Sequence, residues 1–360
     1  MGNYTIILCY YVGMEEESVI REKITALANE AIEREVFPGC VVGVVKKNGS
    51  RIILPFGKFT YTPDAENVAA ETVYDTASLT KSIPTASLAL YLIDRGRLRL
   101  DEKLITYLPE YRGSYRDEIT IAHLLTQTVQ FSFNLASVAH LGRQEILEKI
   151  FSATLLSVPG STYHYANATS ILLGLIIERI MGVTLDVAAQ SVFFGPLGMI
   201  HTTFTPSCDV PPTEIVDGRS IQGIVHDEST RALLPLHVGA AGLFASVPDL
   251  LQFVFMMLNG GESSGRQFFS RASLKKIYTN PSGISHRFGL GWELGAPWMG
   301  KGKSAMIGKT GFTGSMVALD IEKGVGLVHL SNRTFPHRPK TGDAINKVRS
   351  EIVAAVFSNT

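Results

Sequence analysis

The chain has 360 residues, 45% of them hydrophobic and 18% charged, with 33 Lys+Arg against 33 Asp+Glu. This length suits one large core or two closely joined domains, and the balanced charge leaves no global field to attract nucleic acid or an anionic membrane. The three cysteines, Cys9, Cys40 and Cys208, form neither metal-type pairs nor a disulfide framework, which fits buried thiols in a reducing, cytoplasmic compartment.

The apolar stretch 6–12 is too short to span a bilayer and lacks the basic flank and cleavage site of a signal peptide. Helical patterning starts just after Met14, so residues 1–14 are expected to be a disordered or non-native extension, with Met14 a candidate start. Over residues 15–35, Ile20, Ile24, Leu27, Ala31 and Ile32 recur at three- and four-residue steps, an amphipathic helix that Pro38-Gly39 stops. Runs 40–45 and 51–56 are β-rich and separated by Lys46-Lys47-Asn48-Gly49, where Asn-Gly signals a hairpin. Segments 87–93, 145–151, 171–181 and 250–258 read as helices joined by Gly- and Pro-containing loops. Strand character returns at 316–321 and 325–330 around Glu322-Lys323-Gly324, and 344–357 reads as a closing helix. No stretch reads as a membrane span.

Hairpins at both ends can share one antiparallel sheet, flanked by the terminal helices, with a mostly helical domain inserted: an α+β fold. The expected boundaries are 15–80 with 285–360 for the discontinuous sheet domain and 81–284 for the insert.

Three short patterns can carry chemistry. In Ser78-Leu79-Thr80-Lys81, a helix starting at Ser78 puts Lys81 on the same face, its amine close to the hydroxyl. A serine needs such a base, and a lysine can serve only if burial or nearby cations depress its pKa. Helix-start amides favour an oxyanion there, and Pro84 comes early enough to cost only about one backbone hydrogen bond. In Tyr165-Ala166-Asn167, a phenol between two ammonium groups can become a general base, and the Asn167 amide can hold a lysine and a substrate carbonyl together. In Lys309-Thr310-Gly311, an edge strand can offer the Phe312 N–H to an oxyanion, while Lys309 attracts a substrate carboxylate and favours phenolate at Tyr165.

Each pattern has a second copy: Ser273-Leu274-Lys275-Lys276, Tyr278-Thr279-Asn280 and Lys340-Thr341-Gly342. Setting separates them. The first set pairs a helix-start serine with a tyrosine before a long helix and a lysine leading into the C-terminal strands.

On these motifs the chain resembles the class C β-lactamase and low-molecular-mass penicillin-binding protein superfamily, which includes family VIII carboxylesterases. The resemblance extends over roughly residues 20–357, through Phe37-Pro38-Gly39, Tyr107-Leu108-Pro109, Leu124-Leu125-Thr126 and Pro196-Leu197-Gly198-Met199. Val225-His226-Asp227-Glu228, Ala241-Gly242-Leu243-Phe244 and Ser331-Asn332-Arg333 are similar to a subgroup with cell-wall amidases. It implies an active site between two domains, with Ser78 as nucleophile, Lys81 as its partner and Tyr165 as base. Ser132-Phe133-Asn134 mimics another family motif and is taken as incidental. Two departures stand out: the usual H-T-S-G-L is Gln127-Thr128-Val129-Gln130-Phe131, and a frequent histidine is Ala240.

The expected function is therefore a serine hydrolase acting through an acyl-enzyme on a small ester, amide or peptide-like substrate, most simply a carboxylesterase or amidase. It needs no cofactor and no metal, binds no nucleic acid, and has no sequence feature that sets an oligomeric state. The alternatives are a β-lactamase or DD-peptidase, and an inactive binding module on the same fold. Gly261-Glu262-Ser263-Ser264-Gly265 matches a nucleophile elbow but lacks the strand before and helix after it. His226-Asp227-Glu228 has no metal-motif company and is expected to be a structural loop.

Overall fold

The computed structural model describes residues 2–358 except 208, 280–282, 285–287 and 301–305, with the backbone alone for residues 2–14. Helix α1 runs Gly2–Glu33, so it begins at Gly2 rather than after Met14. The lone Gly13 costs a helix only about 1 kcal/mol, too little to end it. Ile20, Ile24, Ala28 and Ala31 form its buried stripe. Strands β1 (Gly39–Lys46) and β2 (Arg51–Gly57) form the expected hairpin, with Gly49 at φ +92° in the turn.

Four C-terminal strands complete the sheet: β3 (Glu293–Leu294), β4 (Met306–Thr310), β5 (Met316–Asp320) and β6 (Val325–Ser331). The spatial order is β2-β1-β6-β5-β4-β3, antiparallel throughout, so the two ends of the chain meet at β1 and β6. The middle of the chain is mostly helical and includes α2 (Ser87–Asp94), α3 (Arg143–Phe151), α4 (Asn167–Met181) and α5 (Val247–Leu258). Helix α6 (Asp343–Phe357) closes the chain.

Both sheet faces are covered, which is why β1 and β6 read as unbroken apolar runs. Cys40, Val42 and Val44 share one core with α1 and α6, while Val41 and Val45 share the other with α5 and the helical lobe. A Cβ on Gly43 would stand 2.3 Å from Val247, so that glycine lets α5 lie close on the sheet. Cys40 is a buried free thiol; Cys208 and the Cys9 side chain lie outside the described residues. Among the described residues no helix is long and apolar enough to cross a membrane.

Candidate active site

A left-handed residue aims the serine. Ala77 has φ +47°, and Ser78 follows in a 3-10 turn, Ala77–Lys81. The helix expected to run on from Ser78 is interrupted: Ile83 is extended (φ −121°, ψ 109°), and regular α-helix resumes only at Ser87. Pro84 therefore sits at a break, not inside a helix. Neighbours fix the turn. Asp75 accepts from Ala77 N (2.7 Å) and His226 N (2.7 Å), Thr76 donates its N–H and hydroxyl to Leu243 O, and Leu243 N donates to Thr80 (3.1 Å). The two-residue ladder Tyr74–Asp75 with Phe244–Ala245 completes the clamp.

Lys81 is buried and its amine meets three oxygens: Ser78 Oγ at 3.1 Å, Asn167 Oδ1 at 2.7 Å and Ala240 O at 2.8 Å. The last two only accept, so they take two N–H groups and leave the third direction for the Ser78 hydroxyl. Burial lowers the Lys81 pKa and Lys309 adds to the effect, against the opposing charges of Tyr165 and Asp227. An amine poised this way can accept the Ser78 proton.

Tyr165 lies between two cations, with Lys81 Nζ 5.0 Å and Lys309 Nζ 4.6 Å from its ring centroid. Burial pushes the phenol up. The ammonium groups of Lys309 and then Lys81, and a hydrogen bond with Ser78, outweigh that and hold it below its ordinary value. Gln127 fastens this segment: its side-chain oxygen accepts from Ala166 N (2.9 Å) and Thr169 (2.7 Å), and its carbonyl accepts from His164 N (2.8 Å). Gln127, at φ +55°, is the departure from the H-T-S-G-L pattern.

Lys309 is buried beneath Tyr165 and ion-paired with Glu293 at 2.7 Å. Burial would lower its pKa, but Glu293, then Tyr165, hold it well above the ordinary lysine value. Trp298 Nε1 donates to the other Glu293 oxygen (2.7 Å), and Thr310 donates weakly to the first (3.4 Å). Strand β4 is not the outermost strand as expected. Strand β3 pairs with Ile307 and Gly308 only, so Lys309 and Thr310 are unpaired on that side.

Past β4, the turn carrying Phe312 is stitched to the serine turn. Thr313 donates to Asp75 O and Ser315 to Thr76 O, both at 2.7 Å. A Cβ on Gly311 would stand 2.0 Å from Ser315 Oγ and 2.3 Å from Thr76 O, so only glycine permits this approach. Arg349 on α6 donates to Gly311 O and Ser315 O, and Arg333 to Phe312 O. With its carbonyls tied down, the turn carrying Phe312 is fixed against the serine turn through Asp75 and Thr76. Ser78, Tyr165, Asn167 and Phe312 line a cleft of about 580 Å³.

The family model for Beta-lactamase matches residues 24–350. The chain belongs to the Beta-lactamase family. A protein of Escherichia coli (strain K12), provisionally named a D-alanyl-D-alanine carboxypeptidase, is 30% identical over 307 residues, covering 74% of this chain and 70% of the relative. The solved structure of EstCE1, a hydrolase with promiscuous acyltransferase activity, has a TM-score of 0.75 at 18% identity and covers 94% of this chain and 100% of that one. A β-lactamase/D-alanine carboxypeptidase from Pseudomonas syringae has a TM-score of 0.73 at 21% identity, with 92% and 98% covered. Beta-lactamase-fold family members are serine hydrolases.

In this Beta-lactamase-family chain the first copy of each motif converges and the second does not. Ser273 lies in helix Arg271–Ile277 with its hydroxyl on Asp94 (2.5 Å); Lys340-Thr341-Gly342 is the loop before α6. Tyr278 is near that Ser273 helix, and Asn280 lies outside the described residues. Ser263 is in a two-residue strand of a tight hairpin with Arg266–Gln267, without an elbow's helix. Ser132, Phe133 and Asn134, taken as incidental, line the cleft, with Asn134 Oδ1 accepting from Ala136 N at 3.0 Å.

Sequence reasoning missed Asp227 and Glu293 at this site. Asp227 is held by Thr230 N (2.8 Å) and Ser229 Oγ (2.6 Å), and it accepts from Asn167 Nδ2 at 3.0 Å. His226 stacks on Phe312 at 5.8 Å, and Glu228 binds Arg338. The loop expected to be structural therefore reaches the catalytic candidates directly.

Proposed function

We propose that this chain is a serine hydrolase of esterase or amidase type that works through an acyl-enzyme. Ser78 attacks an ester or amide carbonyl while Tyr165, with Lys81 beside it, takes the hydroxyl proton; the C–O or C–N bond then breaks, and that proton leaves with the departing alcohol or amine. The amides of Ser78 and Phe312 take the developing oxyanion, a contribution of about 3–4 kcal/mol per donor. Tyr165 then activates the water that releases the acid. The observation that carries this reading is Ser78 Oγ 3.1 Å from a buried Lys81 amine, with Tyr165 between Lys81 and Lys309. A cytoplasmic location is part of it, on the buried free thiol of Cys40.

A second reading, D-alanyl-D-alanine carboxypeptidase, is favoured by the name of the Escherichia coli relative. It asks for a cation free to meet a terminal carboxylate, and the Lys309 ammonium is buried in an ion pair with Glu293 at 2.7 Å. The test is a hydrolysis panel of short p-nitrophenyl esters, nitrocefin and D-Ala-D-Ala peptides, with Ser78→Ala as control. Esters should turn over fastest and Ser78→Ala should be inert. Fast peptide turnover with inert esters would establish the second reading instead.

A further inference from the structure

The Asn167 side chain is committed on both sides. Its oxygen accepts from Lys81 Nζ at 2.7 Å; its nitrogen donates to Asp227 Oδ2 at 3.0 Å and Ser229 Oγ at 3.2 Å. An ammonium or amine N–H facing the amide can only donate and a carboxylate can only accept. Rotating the amide by half a turn would set N–H against N–H at Lys81 and oxygen against carboxylate at Asp227, so one orientation is enforced. An amide nitrogen has two hydrogens, and two acceptors take them. Asp227 cannot swing away, because Thr230 N and Ser229 Oγ hold its other oxygen at 2.8 and 2.6 Å.

We infer that Asp227 is a positioning residue that fixes the Asn167 amide on Lys81 and thereby removes it as a donor to substrate, so the cleft favours acyl groups that carry no acylamino carbonyl. This rests on the hydrolase reading above and narrows it to plain alkanoyl or aryl esters, not N-acylamino-acid derivatives. A buried acceptor left without a donor is unfavourable, so an acylamino substrate gains nothing from Asn167 and loses hydration on entering. Asn134 is the other amide in the wall; its oxygen is used by Ala136 N and its side chain is exposed.

The test compares p-nitrophenyl esters of N-acetylalanine and of 2-methylpentanoic acid, its amide-free counterpart, each kcat/KM normalised to the hydroxide rate of that ester. The wild-type protein should prefer the alkyl ester after normalisation. Equal normalised rates, or a preference for the acylamino ester, overturn the inference, whether or not Asn134→Ala erases that preference. In Asp227→Asn the amide is released: kcat should fall at least about tenfold and the acylamino ratio should rise at least about threefold. Ser229→Ala, which frees one N–H without removing the carboxylate, should raise the ratio in the same direction. A folded Asp227→Asn protein with an unchanged ratio assigns the residue a merely structural role and overturns the inference. Full activity in Ser78→Ala would bring down the hydrolase reading and this inference with it; Ser78-dependent turnover with acylamino preference brings down this inference alone.

Discussion

At Tyr165 the decisive quantity is a balance of opposing effects. Burial alone would make the phenol a poorer base, and two ammonium groups near its ring reverse that. Lys309 is the larger of the two influences, so removing its charge should be the sharper test. In Lys309→Met the acid limb of the kcat/KM profile should move to higher pH, because the larger of the two charges that hold the phenol down is gone. A profile that stays in place would assign the base role elsewhere. Tyr165→Phe should lower kcat by about 10²–10⁴, the usual worth of a positioned general base, while fluorophosphonate labelling of Ser78 slows rather than vanishes. Of these residues, Ser78, Lys81, Tyr165 and Lys309 were legible because their motifs are local. Asp227 and Glu293 were not. Asn167 and Asp227 are 60 residues apart, and nothing in His226-Asp227-Glu228 announces a partner that only folding supplies.

At the scale of elements, the site is a set of short turns pinned to one another. Strands β1, β2, β5 and β6 were legible as apolar runs around hairpin turns, while β3, two residues long, offers no such run; the helix boundaries were legible largely because of Gly, Pro and the apolar repeat. The break at Ile83 had a signal that went unused, since the residue before a proline is disfavoured in helix and Pro84 follows it; tertiary bonds fix it further, Ser82 Oγ to Gly291 O at 2.6 Å and Thr85 Oγ1 to Gly239 O at 3.0 Å. The stitching makes a specific expectation for Gly311→Ala. A methyl group cannot fit beside Thr76 O and Ser315 Oγ, so the Phe312 amide must move away from the serine turn. Loss of that donor should lower kcat by about 10²–10³, with a lower melting temperature measured in the same preparation. Gln127→Ala should act on the opposite wall. It leaves the half-buried Ala166 N–H short of an acceptor, at roughly 1–3 kcal/mol, while the Thr169 hydroxyl keeps Ala166 O at 2.6 Å, and it loosens Tyr165. Calorimetry and ester kinetics on one sample would show both effects.

Across the whole molecule, buried titratable groups shape the response to acid, two histidines and one carboxyl among them. His226 and His329 are held to about 4 and about 3, each mainly by burial. Their folded pKa values lie below the unfolded one, so the stability they contribute is present above about pH 6.5 and is lost as pH falls through the folded values. Asp75 is raised to about 6, mainly by burial, and works in the opposite sense: its contribution is present below about pH 4 and lost as pH rises through about 6. Against burial, Asp227 and Glu293 are held below the usual carboxylate range, by Ser229 and Lys81 and by Lys309 respectively, and act in the same sense as the histidines, so the melting temperature should drop between pH 7 and pH 4. His329→Leu should shrink that drop. An equal drop in the variant would remove His329 from the explanation.

Every role assigned to the cleft depends on one covalent event at one oxygen. Intact-protein mass spectrometry of the wild-type chain quenched during turnover of a slow aryl ester, followed by peptide mapping, reads that event directly. The expected result is a single acyl adduct on the peptide containing Ser78, absent from Ser78→Ala and persistent in variants that slow water attack. An adduct mapping to Ser263 or Ser273, or turnover without any adduct on Ser78, would contradict the account.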